Sequence, residues 1–198
     1  MDDAAFTRKQ FFRLGFSRAA GSVAGALLGC GAVASHALRP RVRPSLVRPP
    51  GALPEPAFLD TCTRCDECVK ACPHWVVKKG GPELGPRYAG TPVLVPAENP
   101  CLFCEDLPCV RSCPTGALAG TTDPASLRIG LAEVDLERCY SAKGQPCDYC
   151  QVHCPTSPRA IRGASPGAAP RVDPDACNGC GKCAQICPPS AIRIRPLS

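Results

Sequence analysis

Sixteen of the seventeen cysteines in this 198-residue chain fall into four sets of four, and every set is closed by Cys-Pro. Cys62, Cys65, Cys68 and Cys72 are spaced C-x2-C-x2-C-x3-C-P, and Cys177, Cys180, Cys183 and Cys187 repeat that spacing. Cys101, Cys104, Cys109 and Cys113 read C-x2-C-x4-C-x3-C-P, and Cys139, Cys147, Cys150 and Cys154 read C-x7-C-x2-C-x3-C-P. Three thiols at such intervals sit on one tight loop and can wrap a common centre. The fourth, three residues on, points away from that centre. The proline behind it stops the turn and favours an extended residue before it.

Thiolates hold [4Fe–4S] cubes with this spacing, and where two cubes are paired the fourth cysteine of a run ligates the other cube. Four complete runs predict four [4Fe–4S] clusters bound by all sixteen cysteines. Zinc favours paired C-x2-C knuckles over four-cysteine runs. A disulfide scaffold has no need of C-x2-C-x2-C triplets.

Composition follows from that reading. The chain has 24 Pro and 18 Gly, and only 5% aromatic residues. Such a chain cannot build a large apolar core, so inorganic cubes must replace much of one. Metal binding is then expected to supply much of the folding free energy, and the apo-protein to be largely unfolded. The formal net charge is +6. Four cubes with their thiolates, at about −2 each, bring the loaded protein to about −2. With no basic stripe carrying interleaved aromatics, nucleic acid is not an expected partner.

Residues 1–38 read as a targeting segment. Thr7-Arg8-Lys9-Gln10-Phe11-Phe12-Arg13 is basic, Ala19 to Leu38 is uncharged, and Ala32-Val33-Ala34 offers a small-residue cleavage site. Thr7 to Arg13 resembles the twin-arginine export motif and departs from it at Lys9, Phe12 and Arg13. That route carries folded cargo, which suits clusters assembled in the cytoplasm. Three fates are open to the segment: cleavage near Ala34, acylation at Cys30 within a lipoprotein-like Leu27-Leu28-Gly29-Cys30, or retention as a membrane anchor. The expected location is periplasmic, with any membrane association through the N-terminus. Residues 39–58 are rich in proline and arginine and read as a semi-rigid linker.

Residues 59–198 are expected to form the four-cluster domain. Val95, Val134 and Val172 precede the second, third and fourth runs as short strands that deliver the chain to each loop. After the loops come Ala117-Leu118, Ala160-Ile161 and Ala191-Ile192. There the small residue lets the backbone approach a cube and the Leu or Ile covers it. The runs are separated by 28, 25 and 22 residues, enough for a helical turn and a hairpin. The fold expected is α+β: two pseudo-symmetric ferredoxin-like dicluster modules in one compact, loop-rich domain, with an inner module at about residues 92–165.

The residues between the cysteines carry a family resemblance. Gly90-Thr91-Pro92, Pro100-Cys101-Leu102-Phe103-Cys104-Glu105-Asp106-Leu107-Pro108-Cys109-Val110 and Cys113-Pro114-Thr115-Gly116-Ala117-Leu118 resemble the MauM/NapG family of ferredoxin-type proteins. Pro146-Cys147-Asp148-Tyr149-Cys150-Gln151-Val152-His153-Cys154-Pro155 is similar to that family's third motif. The resemblance covers roughly residues 60 to 195. It implies electron transfer on the outer face of the cytoplasmic membrane. A membrane-bound quinol-oxidising partner would feed electrons toward a periplasmic reductase or cytochrome.

The resemblance also implies a nested pairing of the runs, first with fourth and second with third. Cys62, Cys65, Cys68 and Cys187 would then share one cube, and Cys177, Cys180, Cys183 and Cys72 its neighbour. Cys101, Cys104, Cys109 and Cys154 would share a third, and Cys139, Cys147, Cys150 and Cys113 the fourth. The sequence alone equally permits sequential pairing, first with second and third with fourth.

No nucleophile, general base or phosphate loop stands out, so the reading is an electron carrier and not an enzyme. His74, Trp75 and His153 lie beside cysteines but are not needed as ligands. Lys78-Lys79 and Glu105-Asp106 read as solvated charges. Two further readings remain: an electron-transfer subunit of a larger oxidoreductase, or a maturation factor for a periplasmic redox enzyme.

Overall fold

The computed structural model describes residues 46–119, 123, 126–163, 165 and 168–197. These belong to one unit, Pro44–Ser198. The expected export segment, residues 1–38, lies outside the described residues. Among the described residues no helix is long and apolar enough to cross a membrane.

The chain enters the fold earlier than its composition suggests. Val47 forms an antiparallel bridge with Leu94, and the Leu94 N–H donates to the Val47 carbonyl at 2.8 Å. Pro49 and Pro50 are fully buried, and the Leu53 N–H donates to the Ala117 carbonyl at 3.1 Å. Within the linker expected over residues 39–58, Val47 to Phe58 thus pack into the fold. Proline's fixed φ holds this segment extended, and its missing N–H leaves no donor to satisfy inside the core.

Arg48 anchors the segment. Its Nε and Nη2 donate to both carboxylate oxygens of Glu55 at 2.9 and 2.6 Å. Its Nη1 donates to Thr91 Oγ1 at 2.8 Å and to the Pro92 carbonyl at 2.7 Å. The guanidinium lies 4.6 Å from the centre of the Phe58 ring. An arginine can be buried this deeply because its planar fork matches the carboxylate and both Nη1 donors are engaged.

Helix α1 (Glu55–Thr61) begins after Pro54, with Pro56 in its first turn, where a missing N–H costs nothing. It buries Phe58 completely and Leu59 largely. The first cysteine loop leads into α2 (Glu67–Ala71). Strand β1 (Val77–Lys79) then pairs antiparallel with β2 (Pro92–Leu94), Val77 opposite Leu94. The second loop leads into α3 (Pro108–Arg111), which packs on α2. Around these gather Phe58, Val76, Val77, Leu94, Leu118 and Leu127 as one apolar core.

Strand β3 (Gly130–Val134) opens the second half and pairs antiparallel with the last strand, β6 (Ile192–Pro196). Between them come α4 (Tyr149–Val152), the hairpin of β4 (Ile161–Gly163) with β5 (Pro170–Val172), and α5 (Lys182–Gln185). Helix α5 packs on α4. Ala132, Ala160, Ile161, Ala184 and Ile192 form a second core, and Ile194 packs against both.

The result is an α+β fold of short helices and three two-stranded antiparallel sheets among the described residues. The strands expected near Val95, Val134 and Val172 are β2, β3 and β5. The inner module expected from the sequence runs from about residue 92 to 165. Its two limits would cut the β1–β2 and β4–β5 hairpins. Each hairpin folds a cysteine loop back on the next one in sequence, so the division falls in the connection between the second and third runs.

Candidate iron–sulfur centres

Each short helix carries the third cysteine of its run: Cys68 on α2, Cys109 on α3, Cys150 on α4 and Cys183 on α5. The α2–α3 and α4–α5 packing therefore sets these thiols face to face in pairs. The loops before the helices need left-handed residues to turn this tightly. Arg64 (φ 60°), Asp66 (φ 65°), Phe103 (φ 48°), Leu107 (φ 42°), Gly179 (φ 77°) and Gly181 (φ 89°) supply them. Non-glycine residues adopt this region only at an energetic cost, and that strain is characteristic of functional loops.

The electrostatic neighbours of each thiol show which cysteines come together. Burial pushes Cys68 up to about 12, and the thiolates of Cys62, Cys113, Cys109 and Cys65 add to it. Burial likewise pushes Cys101 up to about 12, against one backbone hydrogen bond from Phe103, with Cys109, Cys104 and Cys72 adding. Cys109 is raised to about 11 by burial and by Cys72. In the second half Cys150 rises to about 11 through burial and through Cys147, Cys139 and Cys187. Cys180 is raised by burial and by Cys154 and Cys177. Cys183 is raised by burial and by Cys180, Cys177, Cys150 and Cys154.

Four sets follow: Cys62, Cys65, Cys68 with Cys113; Cys101, Cys104, Cys109 with Cys72; Cys139, Cys147, Cys150 with Cys187; and Cys177, Cys180, Cys183 with Cys154. The pairing is sequential. The family resemblance implies a nested arrangement instead; here each hairpin closes neighbouring runs on one another. All sixteen cysteines are free thiols. Burial and neighbouring thiolates both oppose ionisation, and a bound metal centre would relieve that cost.

The fourth cysteines are treated differently. Burial pushes Cys113 up, but the Leu118 N–H, the Thr115 side chain and the Thr115 and Gly116 amides together hold it below its ordinary value. Cys154 is likewise raised by burial and brought down further by Thr156, Ala160 and Ile161. The Val76 N–H donates to Cys72 Sγ at 3.4 Å and the Ala191 N–H to Cys187 Sγ at 3.3 Å. Each Cys-Pro turn thus points an amide back at its own sulfur. The covering pairs Ala117-Leu118, Ala160-Ile161 and Ala191-Ile192 are all buried, and Val76-Val77 takes the same place in the first run. The sequence reading missed that fourth pair because valine breaks the small-then-large pattern.

The remaining candidates stay outside the sets. Trp75 is 80% exposed and covers no thiol. His153 is exposed, with Nδ1 3.0 Å from the Tyr149 carbonyl. His74, Glu105 and Asp106 are exposed. Lys79 pairs with Asp66 at 2.6 Å and Lys78 with Glu98.

Among the described residues no three His, Cys, Asp or Glu side chains close on a point that could hold a single metal ion. Four Cys-Pro-closed runs whose thiols gather in fours define an iron–sulfur protein of the ferredoxin type. Residues 61–118 match the family described as 4Fe-4S dicluster domain, and residues 170–193 match the 4Fe-4S binding domain. The first match spans both runs of the first half, in keeping with sequential pairing.

Among whole proteins, the ferredoxin-type protein NapG of Escherichia coli is 39% identical, over 96% of this chain and 86% of its own length. The methylamine utilization ferredoxin-type protein MauM of Methylophilus methylotrophus is 41% identical, over 80% of this chain and 74% of its own. The ferredoxin-type protein NapF of Escherichia coli is 31% identical, over 76% and 85%. The chain belongs to the NapG/MauM family of ferredoxin-type proteins, which bind [4Fe–4S] clusters and transfer electrons.

Proposed function

We propose that the protein carries four [4Fe–4S] clusters, one on each thiol set, and relays electrons along them. The observation that carries this reading is the gathering of all sixteen motif cysteines into four sets of four. The clusters would supply one-electron redox chemistry, and the chain supplies everything else. Cys62, Cys65, Cys68 and Cys113 hold one cluster, and Cys72, Cys101, Cys104 and Cys109 the next. Cys154, Cys177, Cys180 and Cys183 hold the third, and Cys139, Cys147, Cys150 and Cys187 the fourth. The buried Val76, Leu118, Ile161 and Ile192 keep water from the sulfurs. The amides behind Cys113 and Cys154 stabilise negative charge on those two sulfurs, which favours the ionised ligand.

In this reading the protein is exported by the twin-arginine route and works in the periplasm. It takes electrons from a membrane-bound quinol-oxidising partner and passes them to a reductase or cytochrome. Residues 7–13, the uncharged stretch behind them and the family membership support this. No substrate site is needed for such a role. Anaerobic reductive titration followed by EPR tests the relay, with an expected uptake of about four electrons per chain. Uptake of about two electrons would reject the four-cluster reading. Purification from native membranes, with mass identification of bound proteins, tests the partners. Recovery with only one catalytic subunit, in a fixed complex, would favour a dedicated oxidoreductase subunit.

A further inference from the structure

The two halves meet at a cysteine of each. The Cys101 N–H donates to the Cys180 carbonyl at 2.9 Å. Cys101 belongs to the second thiol set and Cys180 to the set completed by Cys154. Beside that bond the Gln185 side chain donates to the Glu98 carbonyl at 3.2 Å. The Ile129 N–H, where the chain crosses between the halves, donates to the Asn178 carbonyl at 3.0 Å.

Glycines flank Cys180 on both sides, and neither has room for a side chain. A Cβ on Gly181 would lie 2.2 Å from Pro96 Cβ, in the other half. A Cβ on Gly179 would lie 2.5 Å from the backbone N and O of Gly130, at the start of the strand entering from the other half. Both glycines have positive φ, but that alone does not require glycine. The matched positions of the first run, on either side of Cys65, are Arg64 and Asp66, also left-handed. Those two carry side chains because they face outward: Arg64 reaches the Ala89 carbonyl and Asp66 pairs with Lys79. Glycine at 179 and 181 answers to close approach.

We propose that Gly181, with Gly179, positions the electron crossing between the two halves by letting Cys180 bond directly to Cys101. This rests on the four-cluster reading above and adds an order to it. Within the first half Cys68 and Cys109 are neighbours, and within the second Cys183 and Cys150. The sets therefore run in one line, with the sets of Cys101 and Cys180 in the middle. At the crossing one electron leaves the centre held by Cys101 and enters the centre held by Cys180, or the reverse. One is oxidised as the other is reduced, no bond is made or broken, and no proton moves.

The test compares Gly181→Ala with the double variant Gly181→Ala, Pro96→Gly. Iron and sulfide content reports whether clusters load, and so tests the underlying reading by itself. EPR of the reduced protein reports magnetic interaction between centres, and hydrogen exchange reports the Cys101 amide. Gly181→Ala is expected to keep its iron, lose the interaction between the two middle centres and exchange the Cys101 amide faster. Interactions within each half should persist. Removing the Pro96 ring should restore part of the lost interaction. An unchanged middle interaction in Gly181→Ala would overturn the proposal. So would loss of iron in both Gly181 variants, because the glycine would then serve folding and not the crossing.

Discussion

Cys72 is the residue on which the pairing turns. Replacing it with Ser should alter the centre held by Cys101, Cys104 and Cys109 and leave the centre held by Cys177, Cys180 and Cys183 as it was. Spectroscopy that resolves individual clusters reads the difference, and a change confined to the latter centre would contradict the sequential pairing. Arg48 makes a second prediction. Removing it strands the buried Pro92 carbonyl and leaves the Thr91 hydroxyl only its bond to the Tyr88 carbonyl, while Glu55 keeps partial access to water. Arg48→Ala should cost about 2–4 kcal/mol of stability, measured as an anaerobic denaturation midpoint, and Arg48→Lys should recover only part of it. At this scale the sequence was most legible where chemistry dictates spacing, as in the four cysteine runs. It was silent on Arg48, whose partner Thr91 is 43 residues away. No local pattern announces a contact of that kind, and a proline-rich surround reads as linker.

The elements are short because the cysteine loops leave little chain for anything longer. Strands of three residues, such as β1 and β4, are too brief to show the alternation that marks a strand in sequence. Their positions were still readable from the valine before each loop and the apolar pair behind it. What spacing could not reveal was which loops face each other. Similar connections separate all four runs, yet two fold as hairpins and the middle one crosses between halves. The β3–β6 ribbon ties the second half together, and Ile192 is its inner residue, opposite Val134. Ile192→Ala should destabilise the protein by about 2–4 kcal/mol through the lost methylenes and the cavity left behind. It should also open the centre of Cys139, Cys147, Cys150 and Cys187 to solvent. Faster bleaching of that centre in air would confirm the covering role, and an unchanged rate would refute it.

At the scale of the whole molecule, two small apolar cores cannot hold a chain with this much proline and glycine. The cysteine sets occupy the space where a larger core would lie, so the metal must hold the loops that hold it. Iron and acid-labile sulfide, measured per chain on anaerobically purified protein, test that account most directly. The account predicts about sixteen of each, with loss of both on chelation accompanied by loss of the far-ultraviolet dichroism of the folded chain. Stable stoichiometric zinc without sulfide, or saturation at about eight iron, would contradict it.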